Sequence, residues 1–250
     1  MTDKIYTAAL VIIGDEILSG RTHDKNTPWI AEQLTALGIR LGEVRVIPDI
    51  EQTIIDTVNV MRAAHDYVFT TGGIGPTHDD ITAESVAHAF GVEVELHEGA
   101  YQELLKYYKD ESEITEARKK MAMIPQGGEL IDNPVSGAPG IKIENVYIFA
   151  GVPRIMQSMF DAVAPTLKGG KPVQSRSVTA DLPESAVADE LGKIQENYPE
   201  ISIGSYPQYR NGKFGTTLVM RGINDNDLNG ATEDVVALVK SLGDENPEIV

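Results

Sequence analysis

The stretch from Tyr67 to Phe90 constrains the fold more than any other part of the chain. It opens with the β-favouring run Tyr-Val-Phe, continues through two threonines into the turn sequence Gly-Gly-Ile-Gly-Pro, and ends with apolar residues at helical spacing. This order predicts a strand, a glycine-rich loop and a helix, which is the repeating unit of parallel α/β sheets. Ligands of such sheets bind beyond the carboxyl ends of the strands, where loops lead into helices.

The glycine loop has the composition of a phosphate-binding loop. Gly72, Gly73 and Gly75 can adopt backbone conformations with positive φ and allow a ligand to approach closely. Successive N–H groups in such a loop, including that of Ile74, favour a phosphate, and the dipole of the following helix adds to this. Phosphate loops usually carry a lysine, and this loop has none.

The loop is followed instead by two adjacent carboxylates, Asp79 and Asp80. They would repel a phosphate unless a divalent cation such as Mg²⁺ or Mn²⁺ lay between them. A simpler interpretation is that Asp80 or Thr82 caps the following helix. The acidic pair after three glycines favours the first interpretation, in which the carboxylates bind a cation beside a phosphate. In that case Thr77 would also contact the phosphate. His78 could position the attacking water or accept its proton, and a role as a surface residue is the alternative.

Composition narrows the class of protein. The chain has 250 residues, of which 42% are hydrophobic, and a formal net charge of −17. This charge argues against nucleic acid and anionic membrane surfaces as partners. The absence of cysteine excludes disulfides, thiolate nucleophiles and cysteine-ligated zinc. No apolar run approaches the roughly 20 residues of a membrane span, and the N-terminus lacks the features of a signal peptide, so we expect a cytoplasmic protein.

Three strand–helix units in succession predict a parallel sheet with right-handed crossovers. Residues 6–13 form a continuous apolar run typical of a fully buried strand, and a helical pattern follows from Asn26. A second strand is predicted at 44–47 and a second helix from Ile50 onward. The strand at Tyr67 begins the third unit. We therefore expect a three-layer α/β fold with a mostly parallel sheet.

The segment after Gly91 interrupts this pattern before the chain returns to the sheet. Residues 92–96 alternate and could form a short edge strand or the start of a loop, and helices are predicted at 97–110 and 115–123. A hairpin of strands 141–143 and 146–150 follows, and a further helix begins after Arg154.

A short, glycine-rich and charged segment, 168–172, is the best candidate for a domain boundary. It separates a domain of residues 1–168 from one of residues 173–250. The second has a strand–helix–strand–strand–helix pattern, which predicts a small α+β domain without a catalytic constellation. Its predicted elements are strands 173–180, 201–206 and 214–221 and helices 183–198 and 225–242.

Further candidate site residues follow other strands of the predicted sheet. Asp15 and Glu16 come directly after the first strand, so they belong at the same sheet edge as the acidic pair and are candidate metal ligands; capping or solvation is the alternative. Asn26 could contact substrate or cap the first helix. Arg154 could bind a phosphate bidentately or pair with nearby carboxylates.

The turn-rich segment Ser136–Gly140 is a candidate second wall of the site. The hydroxyl of Ser136 and the backbone N–H groups of Gly137 and Gly140 would face the second phosphate of a substrate. The alternative is an ordinary surface turn.

Four segments together resemble a known family. They are Gly14–Gly20, Thr70–Thr82, Ser136–Gly140 and Gly151–Arg154, and their order and spacing are similar to the molybdopterin-binding (MoaB/MogA-like) domain. The resemblance covers residues 4–168. Within that family the segments resemble the branch found at the N-terminus of competence/damage-inducible protein A (CinA) and of eukaryotic FAD synthases.

The resemblance implies two activities. Cofactor-synthesis members bind molybdopterin and adenylylate its phosphate, whereas the CinA and FAD-synthase branch is associated with metal-dependent hydrolysis of dinucleotide pyrophosphates such as ADP-ribose and FAD. Cofactor-synthesis members carry arginine where this chain has Asp79. The acidic pair therefore favours a pyrophosphatase that uses Mg²⁺, Mn²⁺ or Co²⁺, with Asp79, Asp80 and His78 as catalytic residues.

The alternative is a protein that binds molybdopterin, another pterin or a nucleotide without turning it over. In either case the expected partner is a small molecule. Because family members self-associate, the resemblance also implies a homo-oligomer, either a dimer or a trimer.

Overall fold

The computed structural model describes residues 4–210 and 213–250. These residues divide at Gly170 into two compact units, each with its own sheet and hydrophobic core. No helix within the described residues is long and apolar enough to cross a membrane.

The first unit contains eight strands and seven α-helices within the described residues. The strands are β1 (Tyr6–Ile13), β2 (Ile39–Ile47), β3 (Tyr67–Thr71), β4 (Val94–Leu96), β5 (Met123–Pro125), β6 (Glu129–Ile131), β7 (Gly140–Ile143) and β8 (Val146–Phe149). The helices are α1 (Asp15–Leu18), α2 (Asn26–Ala36), α3 (Glu51–Ala64), α4 (Thr82–Phe90), α5 (Glu98–Tyr108), α6 (Glu116–Lys119) and α7 (Pro153–Val163).

The main sheet has six strands in the order β2-β1-β3-β8-β7-β6. The first four run parallel, and β7 and β6 are antiparallel to their neighbours. This confirms the predicted mostly parallel α/β fold. The continuous apolar run in β1 has a simple cause, because its side chains alternate between two cores. Leu10 packs with α2 and α7 on one face, and Val11 packs with α3 and α4 on the other.

Some predicted elements differ from the structure at their ends and in their pairing. The second strand begins at Ile39 rather than 44, because Tyr6 in β1 already pairs with Ile39. The predicted helix 115–123 stops at Lys119, continues as a 3₁₀ turn over 120–122 and becomes β5. That strand pairs with β4 in a separate two-stranded sheet. Strand β6 was not predicted from the sequence, because three residues are too few to show the alternation of polar and apolar side chains that marks a strand.

The second unit is a small α+β domain with an antiparallel sheet, as predicted. Its elements are β9 (Gln174–Ala180), α8 (Glu184–Asn197), β10 (Ser202–Arg210), β11 (Lys213–Gly222), α9 (Asp225–Ser241) and β12 (Glu248–Ile249). The strand order is β10-β11-β9-β12. Buried residues alternate along β11, at Thr216, Leu218 and Met220, so only one face of the strand packs against the core that includes α8 and α9.

Candidate functional site

The carboxyl ends of three parallel strands bring their loops together. The N–H group of Gly72, just after β3, donates to the carbonyl of Phe149 at the end of β8 (3.1 Å). A β-carbon at Gly151 would lie 3.3 Å from the Cα atom of Gly72, and a β-carbon at Gly72 would lie 2.1 Å from the carbonyl oxygen of Ile13 in β1. The loop after β3 is therefore packed between the ends of β1 and β8.

The glycine loop requires glycine at Gly72 and Gly73 and leaves space for a carboxylate at Gly75. Gly72 and Gly73 have φ of 106° and 68°, the left-handed region that favours glycine. A β-carbon at Gly73 would lie 2.1 Å from the hydroxyl oxygen of Thr82, and one at Gly75 would lie 2.7 Å from a carboxylate oxygen of Asp80. Each glycine gives space to a neighbouring group, so the loop follows the surface of the site closely.

The loop leaves backbone donors available. The N–H groups of Gly73, Ile74 and Gly75 have no hydrogen-bond acceptor among the described residues, whereas that of Gly72 donates to Phe149. Gly72 therefore contributes conformation rather than a donor. The three available donors at the entrance to α4 are an arrangement suited to an anion.

The two predicted acidic residues converge on one hydroxyl. Thr77 Oγ1 lies 2.5 Å from Oδ1 of Asp79 and 2.5 Å from Oδ2 of Asp80. The N–H group of Thr77 also donates to Oδ2 of Asp80 (2.7 Å). A hydroxyl has one proton and can donate to only one carboxylate at a time. Because Asp80 also accepts from the Thr77 N–H group, the hydroxyl can donate to Asp79, and the two carboxylates lie side by side where their combined charge would attract a cation.

Capping does not explain these residues. The N-cap position of α4 is Ile81, and no side chain there accepts a hydrogen bond from the first turn. The hydroxyl of Thr82 donates instead to the carbonyl of Gly72 (3.0 Å), and Asp80 accepts from Thr77. The capping interpretation of Asp80 and Thr82 is therefore wrong, and Thr82 closes the base of the glycine loop.

Asp79 is adapted to carry its negative charge. The hydrogen bond from the Thr77 hydroxyl, then the residue's own backbone N–H group and the charges of His78 and Lys120 hold the pKa of Asp79 below its usual value. His78 is almost fully solvent-exposed, with 98% of its side chain accessible, and its Nδ1 lies 3.9 Å from Asp79 Oδ1. The structure thus places His78 beside the acidic pair but at its outer rim.

The acidic residues after β1 lie near a carboxylate that the sequence analysis missed. The N–H group of Asp15 donates to Oδ2 of Asp49 (3.1 Å), which follows β2. Partial burial raises the pKa of Asp49. The hydrogen bond from Asp15 lowers this pKa, and the charges of Asp15, Glu16 and Asp79 raise it. The carboxylates of three neighbouring strand ends therefore share one electrostatic environment.

The acidic residues do not form a complete metal cage. Among the described residues, no group of three or more His, Asp or Glu side chains is arranged to hold a metal ion. The donor set does fit a cation bound by Asp79 and Asp80 and completed by water and a substrate phosphate, which is how Mg²⁺ is commonly held.

A cavity of about 230 Å³ lies against the glycine loop. Its lining is mostly apolar, with the carboxylates of Asp80 and Glu84 and the ammonium group of Lys120 as charged members. The apolar lining residues are Ile74, Ala83, Val94, Met121, Met123, Pro139 and Ile141. An apolar cavity with a few polar groups at one side is typical of a small-molecule site.

Lys120 reaches the loop from a distant part of the chain. Its Nζ donates to the carbonyl of Thr77 (2.8 Å), 43 residues away in sequence. It belongs to the 3₁₀ turn between α6 and β5. The glycine loop lacks a lysine of its own, as the sequence shows, but the fold supplies one.

Asn26 does not cap α2. The carboxylate of Asp24 accepts from the N–H groups of Asn26 (2.8 Å) and Thr27 (3.1 Å), so Asp24 performs that role. The buried amide of Asn26 donates to the carbonyl of Gly151 (2.9 Å), and its Oδ1 has no partner among the described residues. Asn26 therefore links α2 to the loop after β8, behind the glycine loop.

Arg154 lies in the first turn of α7, exposed to solvent. No ion pair between Arg154 and a carboxylate is formed within the described part of the chain. The salt-bridge alternative for this residue therefore finds no support in the structure.

The segment Ser136–Gly140 is only partly directed to the cavity. Pro139 lines it, whereas the hydroxyl of Ser136 accepts a hydrogen bond from Asn133 (2.7 Å) within the loop. Gly137 has φ of 73° and packs against Tyr107. Gly140 is buried in β7, where a β-carbon would crowd the carbonyl of Ile148. Gly137 and Gly140 therefore allow close packing against neighbouring residues rather than facing the cavity.

Comparisons with known proteins agree with this architecture. Residues 9–169 match the family model described as "Probable molybdopterin binding domain", and residues 172–243 match "FAD synthase, middle domain". A protein of Aeropyrum pernix is 36% identical over 211 residues, which cover 80% of this chain and 79% of that protein.

Two further relatives carry informative names. A "Probable FAD synthase" of Caenorhabditis briggsae is 32% identical over 242 residues, which cover 86% of this chain but 46% of that protein. The structure of CinA from Thermoplasma acidophilum, a protein described as having unknown function, is 33% identical and superimposes with a TM-score of 0.62. It covers 65% of this chain and 98% of its own. The chain therefore belongs to the molybdopterin-binding (MoaB/MogA-like) domain family and carries behind that domain a unit of the FAD synthase middle-domain family.

Proposed function

We propose that the chain is a metal-dependent pyrophosphatase that hydrolyses a dinucleotide such as ADP-ribose or FAD. One observation carries the proposal. The carboxylates of Asp79 and Asp80 converge on the Thr77 hydroxyl directly beside a glycine loop whose backbone donors have no acceptor among the described residues. A cation held by these carboxylates and a phosphate held by these donors would lie next to each other.

The substrate would lie across the glycine loop. The N–H groups of Gly73, Ile74 and Gly75 would hold one phosphate of the pyrophosphate group. The adjacent cavity, whose apolar lining includes Ile74 and Pro139, would accept a planar ring of the substrate. A dinucleotide supplies both parts, a charged pyrophosphate and an apolar ring.

Asp79 and Asp80 would hold the divalent cation, Mg²⁺, Mn²⁺ or Co²⁺. The charges of Asp15 and Glu16, which act on Asp49 together with that of Asp79, would add to the negative potential around it. When bound, such a cation lowers the pKa of a water molecule and neutralises charge that develops on the leaving phosphate. The lowered pKa of Asp79 keeps its carboxylate ionised for this role.

The reaction is the attack of water on one phosphorus of the pyrophosphate. A new P–O bond forms, the bond to the bridging oxygen breaks, and two monophosphates leave. The water gives up a proton, and the imidazole of His78, which lies beside Asp79, would accept it. Its exposure allows it to pass this proton to solvent.

The test is hydrolysis of ADP-ribose and FAD by the purified protein with Mg²⁺, Mn²⁺ or Co²⁺, compared with EDTA. We expect metal-dependent release of AMP. We expect Asp80→Asn to lower kcat by about a hundredfold or more, because it removes a charge that acts on the cation while an Asn side chain can still accept from the Thr77 N–H group.

Asp161→Asn is the matched control, since Asp161 is an exposed carboxylate on α7. It should leave turnover unchanged. Absence of turnover by the wild-type protein with every metal would overturn the pyrophosphatase proposal.

The second candidate function is molybdopterin binding without turnover. The family model that covers residues 9–169 favours it, and a pterin ring would also suit the apolar cavity. The two candidates differ in outcome, because a carrier would bind molybdopterin with wild-type affinity and release no AMP from dinucleotides. A cytoplasmic location and a homo-oligomeric state stay predictions.

A further inference from the structure

We propose that Lys120 is a phosphate-binding residue of this site, which supplies from a separate segment the cation that the glycine loop lacks. The inference rests on the proposed function in one respect, because it takes the loop Gly73–Gly75 as the place where a substrate phosphate binds.

The position of Lys120 supports this role. Its Nζ lies 2.8 Å from the carbonyl of Thr77, and its side chain lines the same cavity as Gly73, Gly75 and Asp80. An ammonium group has three donors, and only one is used by Thr77. The remaining two can donate to a ligand in the cavity.

Lys120 offsets the negative charge of the carboxylates around the site. Asp80 and Glu84 line the cavity, and Asp79 lies beside Asp80 at the Thr77 hydroxyl. Each of these carboxylates repels a phosphate. Lys120 is the only ammonium or guanidinium group lining this cavity within the described residues. It lies between Thr77 and the cavity, where it can neutralise a phosphate that the divalent cation does not contact.

The hydrogen bond to Thr77 gives Lys120 a fixed position. The same residue binds Asp79 and Asp80 through its hydroxyl. Lys120 and the acidic pair are therefore connected through one residue, so the proposed phosphate donor lies close to the proposed metal ligands. Removal of the ammonium group would weaken phosphate binding without changing the apolar lining.

Lys119 provides a matched control. It is adjacent in sequence and lies near Glu116 (3.7 Å between Nζ and Oε1), and it is not among the residues that line the cavity. Lys119→Met and Lys120→Met therefore remove the same charge from the same segment at different distances from the proposed phosphate.

The experiment is titration calorimetry in Mg²⁺ of adenosine, which lacks phosphate, and of ADP-ribose in its non-hydrolysable methylene-bridged form, so that the cation is present and no ligand is hydrolysed. We expect Lys120→Met to weaken ADP-ribose binding by about ten- to a hundredfold, the loss typical of a hydrogen bond to a charged group. Adenosine binding should stay unchanged in this variant. Lys119→Met should bind both ligands like the wild type, and Lys120→Arg should recover most of the ADP-ribose affinity.

Equal losses for ADP-ribose and adenosine would overturn the inference, because they would show that Lys120 only maintains the shape of the cavity. Unchanged ADP-ribose affinity in Lys120→Met, or no binding by the wild type, would also overturn it. The proposed function is tested separately by turnover with metal. Lys120-dependent binding without any hydrolysis would support this inference and reject the pyrophosphatase, whereas hydrolysis that does not depend on Lys120 would do the reverse.

Discussion

The two units of the chain use their strands in different ways. In the first unit four neighbouring strands run parallel, so the loops after β1, β2, β3 and β8 emerge at one edge of the sheet. In the second unit each strand is antiparallel to its neighbours, so the loops after β9 and β10 emerge at one end of the sheet and the loop after β11 at the other. Parallel strands concentrate polar loops at one place, whereas antiparallel strands distribute them. The candidate site belongs to the first unit for this reason.

The glycines of the two units reflect this difference. Gly72 follows a parallel strand and touches the backbone of another strand end, whereas Gly222 ends β11 and touches a side chain of its own unit's core. A β-carbon at either position would meet a neighbour at nearly the same distance, 2.1 Å from Ile13 O and 2.2 Å from Ile201 Cδ1. The stability losses of alanine substitutions at the two positions therefore compare a clash with backbone, which cannot move alone, with a clash with a side chain, which can.

The largest effect is expected for Gly72→Ala. The new methyl group would meet a backbone oxygen that cannot move alone, and φ of 106° is strained for alanine. We expect a loss of about 3–4 kcal/mol in the free energy of unfolding of the first unit. The measurement is urea unfolding followed by the fluorescence of the single tryptophan, Trp29, which packs on Phe160 in that unit. A loss below that of Gly222→Ala would contradict the comparison.

A smaller loss is expected for Gly222→Ala. The clashing atom is the end of the Ile201 side chain, which can rotate, so the core can adapt at a cost of about 1–2 kcal/mol. Urea unfolding followed by circular dichroism would measure the loss. The double variant Gly222→Ala with Ile201→Val should recover part of it, because the shorter side chain removes Cδ1. No recovery would show that the backbone is the obstacle.

Gly192→Ala should have the opposite sign. Gly192 lies within α8, is exposed, and has no atom within 4 Å of a new β-carbon. Alanine lowers the entropy of the unfolded chain and favours the helix, so we expect a gain of about 0.5–1 kcal/mol. The same circular dichroism experiment measures it. Destabilisation would mean that this helix face has a contact in solution.

The smallest effect is expected for Asp49→Asn, and it depends on pH. Partial burial, and then the neighbouring carboxylates, raise the pKa of Asp49 in the folded protein. A raised pKa of an acid stabilises the fold at low pH, where the group is protonated in both states, and this contribution is lost as pH rises through the folded pKa. Asn cannot ionise and can still accept from Asp15.

Asp49→Asn should therefore raise the midpoint of thermal unfolding at pH 7 and leave it unchanged at pH 3. Asp161→Asn, at an exposed position on α7, should show no such pH dependence. A lower midpoint for Asp49→Asn at pH 7 would show that its charge is stabilised by the site rather than penalised.

Local patterns were sufficient for the fold and for part of the site. The apolar run of β1 and the strand–glycine–helix stretch at β3 are set by neighbouring residues, and both elements form as predicted. Asp49 could have been found by the rule that selected Asp15, since each follows a strand of the parallel sheet. Asp24 caps α2 although the sequence pattern favoured Asn26, because both residue types are common caps and only the structure shows which carboxylate or amide faces the first turn.

Other parts of the site depend on contacts between distant residues. No pattern around Lys120 indicates that its side chain reaches Thr77, because the turn over 120–122 approaches the loop only after β5 pairs with β4. The cavity has the same origin, since Met121, Met123 and Ile141 come from three separate elements. Sequence reasoning found the residues joined by one loop and missed those joined by tertiary packing.

The pairing of β3 with β8 has a consequence for the order in which the molecule is assembled. Val68 pairs with Val146, and the whole segment that carries Lys120 lies between these strands. Closing such a long loop is entropically costly and slows folding relative to local pairings such as that of β1 with β2. Because the N–H group of Gly72 binds the carbonyl of Phe149, a chain emerging from the ribosome cannot complete the glycine loop until β8 has been synthesised. We expect ligand binding to appear only after that point in translation.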